Sequence, residues 1–245
     1  MSGETLKVSL RITNGFALDV AFDVPPGVTV LFGPSGSGKS TTLSAIAGLV
    51  RPSSGRISIG DDVWFDSAEK THVAVHRRRV AFVFQSLALF PHMTALENVV
   101  YGMERALDPG SRAKRAVALL ERLRVPHLAD RKPRTFSGGE AQRVALARAL
   151  ATSPRVILLD EPFSALDREL RIELITDLRE SIRELDVPVL FVTHHRQEAL
   201  ALGENLVLLE KGSVLRVGKV AELQGGRRDA TFDETPLDPD RMLGR

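Results

Sequence analysis

Cysteine is absent from the 245 residues, which excludes disulfides and thiolate metal sites and suits a reducing compartment. No apolar stretch approaches the ~18–20 residues needed to span a bilayer. The start, Met1-Ser-Gly-Glu-Thr5, lacks the basic-then-apolar layout of a signal peptide. An excess of charge of one sign is missing as well. The formal net charge is +2, so nothing in the total calls for a nucleic-acid partner. Short basic clusters such as Arg77-Arg78-Arg79 read as solvated surface. Internal repeats and sustained coiled-coil heptads are missing. With 43% hydrophobic residues, the chain can still bury a full core, as one large domain or two small ones. A soluble, cytoplasmic protein is expected.

What is present starts with Gly33-Pro34-Ser35-Gly36-Ser37-Gly38-Lys39-Ser40, a loop of the form G-x-x-x-x-G-K-[ST]. The apolar run Val28 to Phe32 enters it like a strand buried on both faces. Leu43, Ile46, Ala47 and Val50 leave it at helical spacing. Glycines let backbone N–H groups turn inward around an anion, and the new helix points its positive end there. Lys39 can reach terminal phosphates, and the Ser40 hydroxyl can take a position on Mg²⁺. A chance glycine-rich turn would not come with strand, loop and helix in this order. The loop, with Thr41 beside it, is the candidate site for a nucleoside triphosphate.

Around this loop the pattern predicts α/β architecture. Leu6, Val8, Leu10 and Ile12 alternate with polar residues, and Phe16, Leu18, Val20, Phe22 and Val24 alternate again after Asn14-Gly15, a two-residue hairpin signal. Gly55 to Phe65 offers a second hairpin, with Ile57 and Ile59 facing Val63 and Phe65 across Gly60-Asp61-Asp62. Val80–Phe84, Val156–Leu159 and Val189–Val192 resemble buried parallel strands, each ending at a polar residue: Gln85, Asp160, and Thr193-His194. In open α/β sheets ligands sit outside the carboxyl ends of the strands, so these residues are expected to converge on the loop.

From Gln85 to Ser137 the character is helical. Thr94 and Glu97 form a candidate capping box, and Ala113, Ala116, Val117, Leu120 and Leu123 mark an apolar helix face. The reading is a domain over residues 1–224, with a helical insert at about 86–136. From Gly225 on, Gly, Arg, Asp and Pro predict a mobile tail over 225–245.

The acidic pair Asp160-Glu161 follows an apolar strand. Alternation would aim neighbours apart, but the chain turns at a strand end, so both can serve one site. Asp160 suits Mg²⁺ binding opposite Ser40, and Glu161 suits a general base that polarises the attacking water. Ser137-Gly138-Gly139 before a helix can make a second anion nest, though alone it reads equally as a plain turn with a capped helix.

In order, the chain shows Gly33–Ser40, Gln85, Phe136-Ser-Gly-Gly-Glu140, Leu159-Asp160-Glu161-Pro162, Ser164-Ala-Leu-Asp167 and Thr193-His194. That series resembles the nucleotide-binding subunit of ATP-binding-cassette (ABC) transporters, over about residues 6–224. The resemblance implies a P-loop NTPase core with an N-terminal antiparallel β subdomain and an inserted helical subdomain. It further implies a head-to-tail homodimer with ATP and Mg²⁺ between Gly33–Ser40 of one subunit and Ser137-Gly138-Gly139 of the other. Gln85 would sense Mg²⁺ and the attacking water, Asp167 would couple the two sites, and His194 would hydrogen-bond the γ-phosphate and hold Glu161. Phe136 stands where the family usually has Leu, and Glu140 where Gln is usual, as is familiar among importers. Phe16 is the one aromatic near the first turn that could stack on adenine, but its alternation with Leu18 suits the core equally. The other histidines, His195 and the His72/His76 pair included, show no ligand set.

Residues Phe84 to His92 look like an importer ATPase made separately from its integral membrane permease, acting with a solute-binding protein at the cytoplasmic face of the membrane. Asp66-Ser-Ala-Glu-Lys70 and Val100-Tyr-Gly-Met103 resemble molybdate-import ATPases. Those usually continue into an oxyanion-binding β domain, whereas this chain stops at Arg245, so that domain is expected to be missing or removed. Molybdate is the leading cargo, with sulfate, another oxyanion, a sugar or a polyamine open. Rival readings are a DNA-repair or chromosome ABC ATPase, which would carry long coiled coils, and a phosphate-loop kinase, which would need an acceptor lid.

Overall fold

The computed structural model describes residues 3–13, 15, 17–103, 108–164, 166–183 and 185–221. β1 (Leu6–Ile12), β2 (Leu18–Val24) and β3 (Gly27–Phe32) lead into α1 (Lys39–Ala47). β4 (Ser54–Ile59), β5 (Asp62–Asp66), the short β6 (Thr71–His72) and β7 (Val80–Val83) follow. α2 (Ala95–Tyr101), α3 (Pro109–Arg122) and α4 (Gly138–Ala151) come before β8 (Val156–Asp160). α5 (Arg168–Arg183), β9 (Pro188–Thr193), α6 (Arg196–Leu202), β10 (Asn205–Glu210) and β11 (Ser213–Lys219) come last. Among the described residues no helix is long and apolar enough to cross a membrane.

The fold is α/β, as the patterning predicts. Among the described residues the eleven strands form one sheet in the order β6-β5-β4-β1-β2-β11-β10-β3-β9-β8-β7. β3, β9, β8 and β7 are parallel neighbours, so their carboxyl ends share one edge. β1, β2, β4 and β5 pair antiparallel and form the other arm. β3 reads as an unbroken apolar run because it has a packed layer on each face. Val28, Val30 and Phe32 join the core beneath the later helices, while Leu31 joins the one containing α1 and the antiparallel arm.

Several local expectations need correction. β1 and β2 close with Ile12 opposite Leu18, so residues 13–17 join them instead of a two-residue turn. Asn14 and Phe16 lie outside the described residues, and with them the proposed adenine contact. The second hairpin pairs Ile57 with Phe65 but Ile59 with Asp62, because Trp64 bulges out of register and is buried beside Phe65. α1 stops at Ala47 because Gly48 adopts φ +86° and its N–H caps the helix, leaving Val50 beyond it. On α3, Ala116 and Leu120 are buried, whereas Val117 is 37% exposed. The predicted tail over 225–245 lies outside the described residues.

The arginine cluster is the largest departure. Arg78 is fully buried, not solvated. It donates to the carbonyls of Ala45 at 3.1 Å, Ile46 at 2.7 Å and Val73 at 3.0 Å, and approaches that of Trp64 at 3.5 Å. The last carbonyls of a helix have no partner within it and carry its negative dipole end, so a buried cation suits them. Burial pushes the Arg78 pKa down to about 10, which still leaves it charged at neutral pH. Arg78 thus fastens the end of α1 to the antiparallel arm.

Candidate active site

The loop after β3 is shaped by glycine. A Cβ on Gly33 would fall 2.1 Å from the Leu209 carbonyl oxygen, and Gly36 and Gly38 adopt φ +78° and +102°. α1 starts directly afterwards, at Lys39. The Lys39 ammonium donates to the carbonyls of Gly33 and Pro34, at 2.9 Å each, and so lies across the loop. Burial lowers its pKa, against the opposing pull of Glu161 and Asp160. Ser37 Oγ is buried with no hydrogen-bond partner among the described residues, and Thr41 stands half-buried in the first turn of α1. Beside the loop, Pro34, Ser35, Gly36 and Ser37 line a concavity of about 490 Å³ with Gly15, Ala17, Glu210 and Lys211.

Asp160 ends β8, one strand from β9 and two from β3, and Glu161 follows it. Glu161 adopts φ +43°, an uncommon left-handed conformation for a residue with a side chain. That turn brings the second carboxylate round to the side that strand alternation would deny it. Ser40 Oγ donates to Asp160 Oδ1 at 3.0 Å across 120 residues of sequence. Burial raises the Asp160 pKa, the Ser40 bond and Lys39 lower it, and the Glu161 carboxylate raises it further. A hydroxyl and a carboxylate in contact are hard oxygen donors, the set that suits Mg²⁺, and the loop's turned glycines suit a polyphosphate.

The remaining groups join them. His194 Nδ1 lies 3.1 Å from Glu161 Oε1. Gln85 Nε2 donates to Ser164 Oγ at 3.3 Å, and Ser164 Oγ donates to the Glu161 carbonyl at 3.1 Å. Gly33–Ser40, Gln85, Asp160, Glu161 and His194 therefore meet at one sheet edge.

Ser137, Gly138 and Gly139 stand elsewhere. The glycines do not precede the helix but form the first turn of α4, with Ser137 as its cap. Ser137 Oγ accepts from the Glu140 N–H at 3.3 Å, and the Glu140 carboxylate accepts from the Ser137 N–H at 2.7 Å. His127 Nε2 lies 3.1 Å from the other oxygen of Glu140. Gly138 and Gly139 face Leu166 and Leu170, not the phosphate loop. Asp167 accepts from the Leu170 N–H at 2.9 Å and so caps α5.

Sequence reasoning missed several supporting residues. Thr193 Oγ1 donates to the buried Glu198 at 2.6 Å and accepts from the His195 N–H at 2.9 Å, fixing the turn that carries His194. Gly212 donates its N–H to the Ser37 carbonyl at 3.1 Å, which pins the β10–β11 turn to the loop. A Cβ on Gly212 would meet the Ala17 oxygen at 2.0 Å. Thr193 belongs to the Thr193-His194 strand end that the sequence marks, but nothing there announces its bond to Glu198, and Gly212 belongs to no motif. The Gly212 contacts with Ser37 and Ala17 join segments far apart in the chain, so no local signal marks them.

A family model described as ABC transporter matches residues 18–164. The molybdenum import ATP-binding protein ModC of Methylococcus capsulatus is 49% identical over 210 residues, 85% of this chain. The chain spans 58% of that relative's length. A probable sulfate/thiosulfate import ATP-binding protein, CysA, of Chlorella vulgaris is 44% identical over 219 residues, 88% of this chain and 90% of its own. Among solved structures, the dimeric post-hydrolysis state of the ATP-binding cassette MJ0796, bound to ADP and Pi, superposes with a TM-score of 0.73. It is 32% identical and covers 88% of this chain and 98% of its own.

Proposed function

The chain belongs to the ABC transporter family, and from that premise we propose that it hydrolyses ATP to drive import of molybdate through a membrane permease. The observation that carries the chemical half is the meeting of Ser40 with Asp160 and of His194 with Glu161 at the edge that bears the phosphate loop. Lys39 and the loop amides bind and orient the β- and γ-phosphates. Ser40 and Asp160 would hold Mg²⁺, which when bound would neutralise charge on the phosphates. Glu161 accepts a proton from the attacking water, and His194, on its carboxylate, keeps it aimed. Gln85, tied to the Glu161 carbonyl through Ser164, reports the state of that site to the helices after it.

Ser137, Gly138 and Gly139 make no hydrogen bond with this chain's own phosphate loop among the described residues, which supports a role toward a second copy. Two chains head to tail would give two composite sites by symmetry, with Asp167 between them. The likeness to molybdenum import ATP-binding proteins supports the cargo and the permease. Sulfate is the second reading, favoured by the Chlorella relative that the chain covers almost whole. The test is the chain in proteoliposomes with the permease and solute-binding protein encoded beside it. Mg²⁺-dependent phosphate release stimulated by molybdate and not by sulfate is expected. Stimulation by sulfate alone would transfer the assignment, and absence of Mg²⁺-dependent release would sink the ATPase reading.

A further inference from the structure

The loop that carries Gln85 bends twice through the left-handed region without a glycine, at Leu87 (φ +59°) and Ala88 (φ +47°). Two consecutive residues with a Cβ hold that conformation only where their surroundings impose it. The local bonds are thin. Leu87 N–H donates to the Phe84 carbonyl at 2.9 Å, and Ala88 N–H to that of Ser86 at 2.7 Å. The imposing group comes from α4. Arg148 Nη2 donates to the Leu87 carbonyl at 2.8 Å and Nη1 to the Ala88 carbonyl at 2.7 Å. The same guanidinium lies 5.4 Å from the Phe90 ring centroid. One planar fork thus spans both strained peptides with two donors held in fixed geometry, which a lysine's flexible ammonium does not preset.

Asn98 of α2 completes the hold. Its side chain accepts from the Phe90 N–H at 2.9 Å and donates to the Phe90 carbonyl at 3.2 Å and the Thr94 carbonyl at 2.9 Å. Arg148 stands eleven residues along the helix capped by Ser137, which is ~16 Å of rigid rod. Burial lowers the Arg148 pKa, in keeping with a cation withdrawn from water to serve backbone carbonyls.

We propose that Arg148 is a positioning residue that locks the Gln85 loop to the Ser137-headed helix. A shift of α4 at its Ser137 end is then transmitted to Gln85 through the Leu87 and Ala88 carbonyls. This rests on the reading of the site as an ATPase.

The test crosses Arg148→Met and Arg148→Lys with Ala88→Gly. It reads kcat and KM for ATP, the melting temperature, and nucleotide-free amide exchange. Arg148→Met is expected to lower kcat about tenfold with KM within about threefold. The Leu87, Ala88 and Phe90 amides should exchange about tenfold faster, with α1 unchanged. Arg148→Lys, which keeps the charge but not the fixed fork, should fall between Arg148→Met and the parental chain. Glycine takes φ > 0 without the steric cost, so Ala88→Gly should restore kcat about threefold in the Arg148→Met chain and give no gain in the parental one. Parental kcat and exchange in Arg148→Met would overturn the proposal. So would effects of the two substitutions that simply multiply, since Arg148 would then act only through packing. If Arg148→Met fails to fold, Arg148→Lys keeps the stem and carries the same cycle. The exchange measurement needs no ATP, so it judges the clamp even if the parental chain fails to hydrolyse.

Discussion

Glu161 has a strained backbone, a histidine on its carboxylate and a second carboxylate next to it. In the proposed mechanism it alone accepts the proton, while Lys39, Ser40 and Asp160 hold the nucleotide. Glu161→Gln is therefore expected to slow phosphate release by ~10²–10⁴-fold with nucleotide binding intact. Near-parental turnover would remove Glu161 from the role. Asp160 makes a prediction of opposite sign for stability. Burial raises its pKa in the fold, so the ionised carboxylate costs stability at neutral pH. That cost fades as pH falls through the raised folded-state value and is gone below the unfolded value of ~3.9, where both states are protonated. Asp160→Asn should raise the melting temperature at pH 7 while hydrolysis is lost. The gain should shrink toward pH 4, and a scan across pH checks it. Residues within contiguous motifs were legible from sequence because each motif is a local string. Arg78 was not, since three arginines in a row look alike until the fold decides which one meets the end of α1.

Elements were legible where one local rule fixed them. The capping box of α2 stands as read, with Thr94 and Glu97 bonded reciprocally. The four parallel strands follow from their apolar runs. Where two rules competed, tertiary packing won. Trp64 leaves register so that it and Phe65 both reach the core, and Leu87 and Ala88 bend where no glycine announces a bend. The glycines after Ser137 read as a turn, yet they occupy a helical first turn because Ser137 and Glu140 cap it and Leu170 leaves no room for a Cβ on Gly139. The attachment of α1 is the element most open to test. Arg78→Met strips a buried cation from the carbonyls of Ala45, Ile46 and Val73, and should cost about 3 kcal/mol or more. The melting temperature should fall by ~6–12 °C. A fall under ~2 °C would mean that water or a neighbouring group satisfies these carbonyls instead.

At the scale of the whole molecule, no hydrogen bond joins Ser137 to the phosphate loop among the described residues, and in the proposed head-to-tail dimer a partner copy brings the two together. Lys39→Ala and Ser137→Arg should each abolish hydrolysis alone, one by losing charge on the phosphates and the other by crowding the closed interface. Mixed in equal amounts, they form some heterodimers with one doubly damaged site and one intact site, which should still close around ATP. The most direct measurement is light scattering of Glu161→Gln with and without Mg-ATP. Its mass should rise from 26.8 kDa to twice that value with Mg-ATP, and adding Ser137→Arg to the same chain should abolish the rise. A dimer that formed equally well with Ser137→Arg would contradict the composite site and leave a phosphate-loop NTPase that works within one subunit.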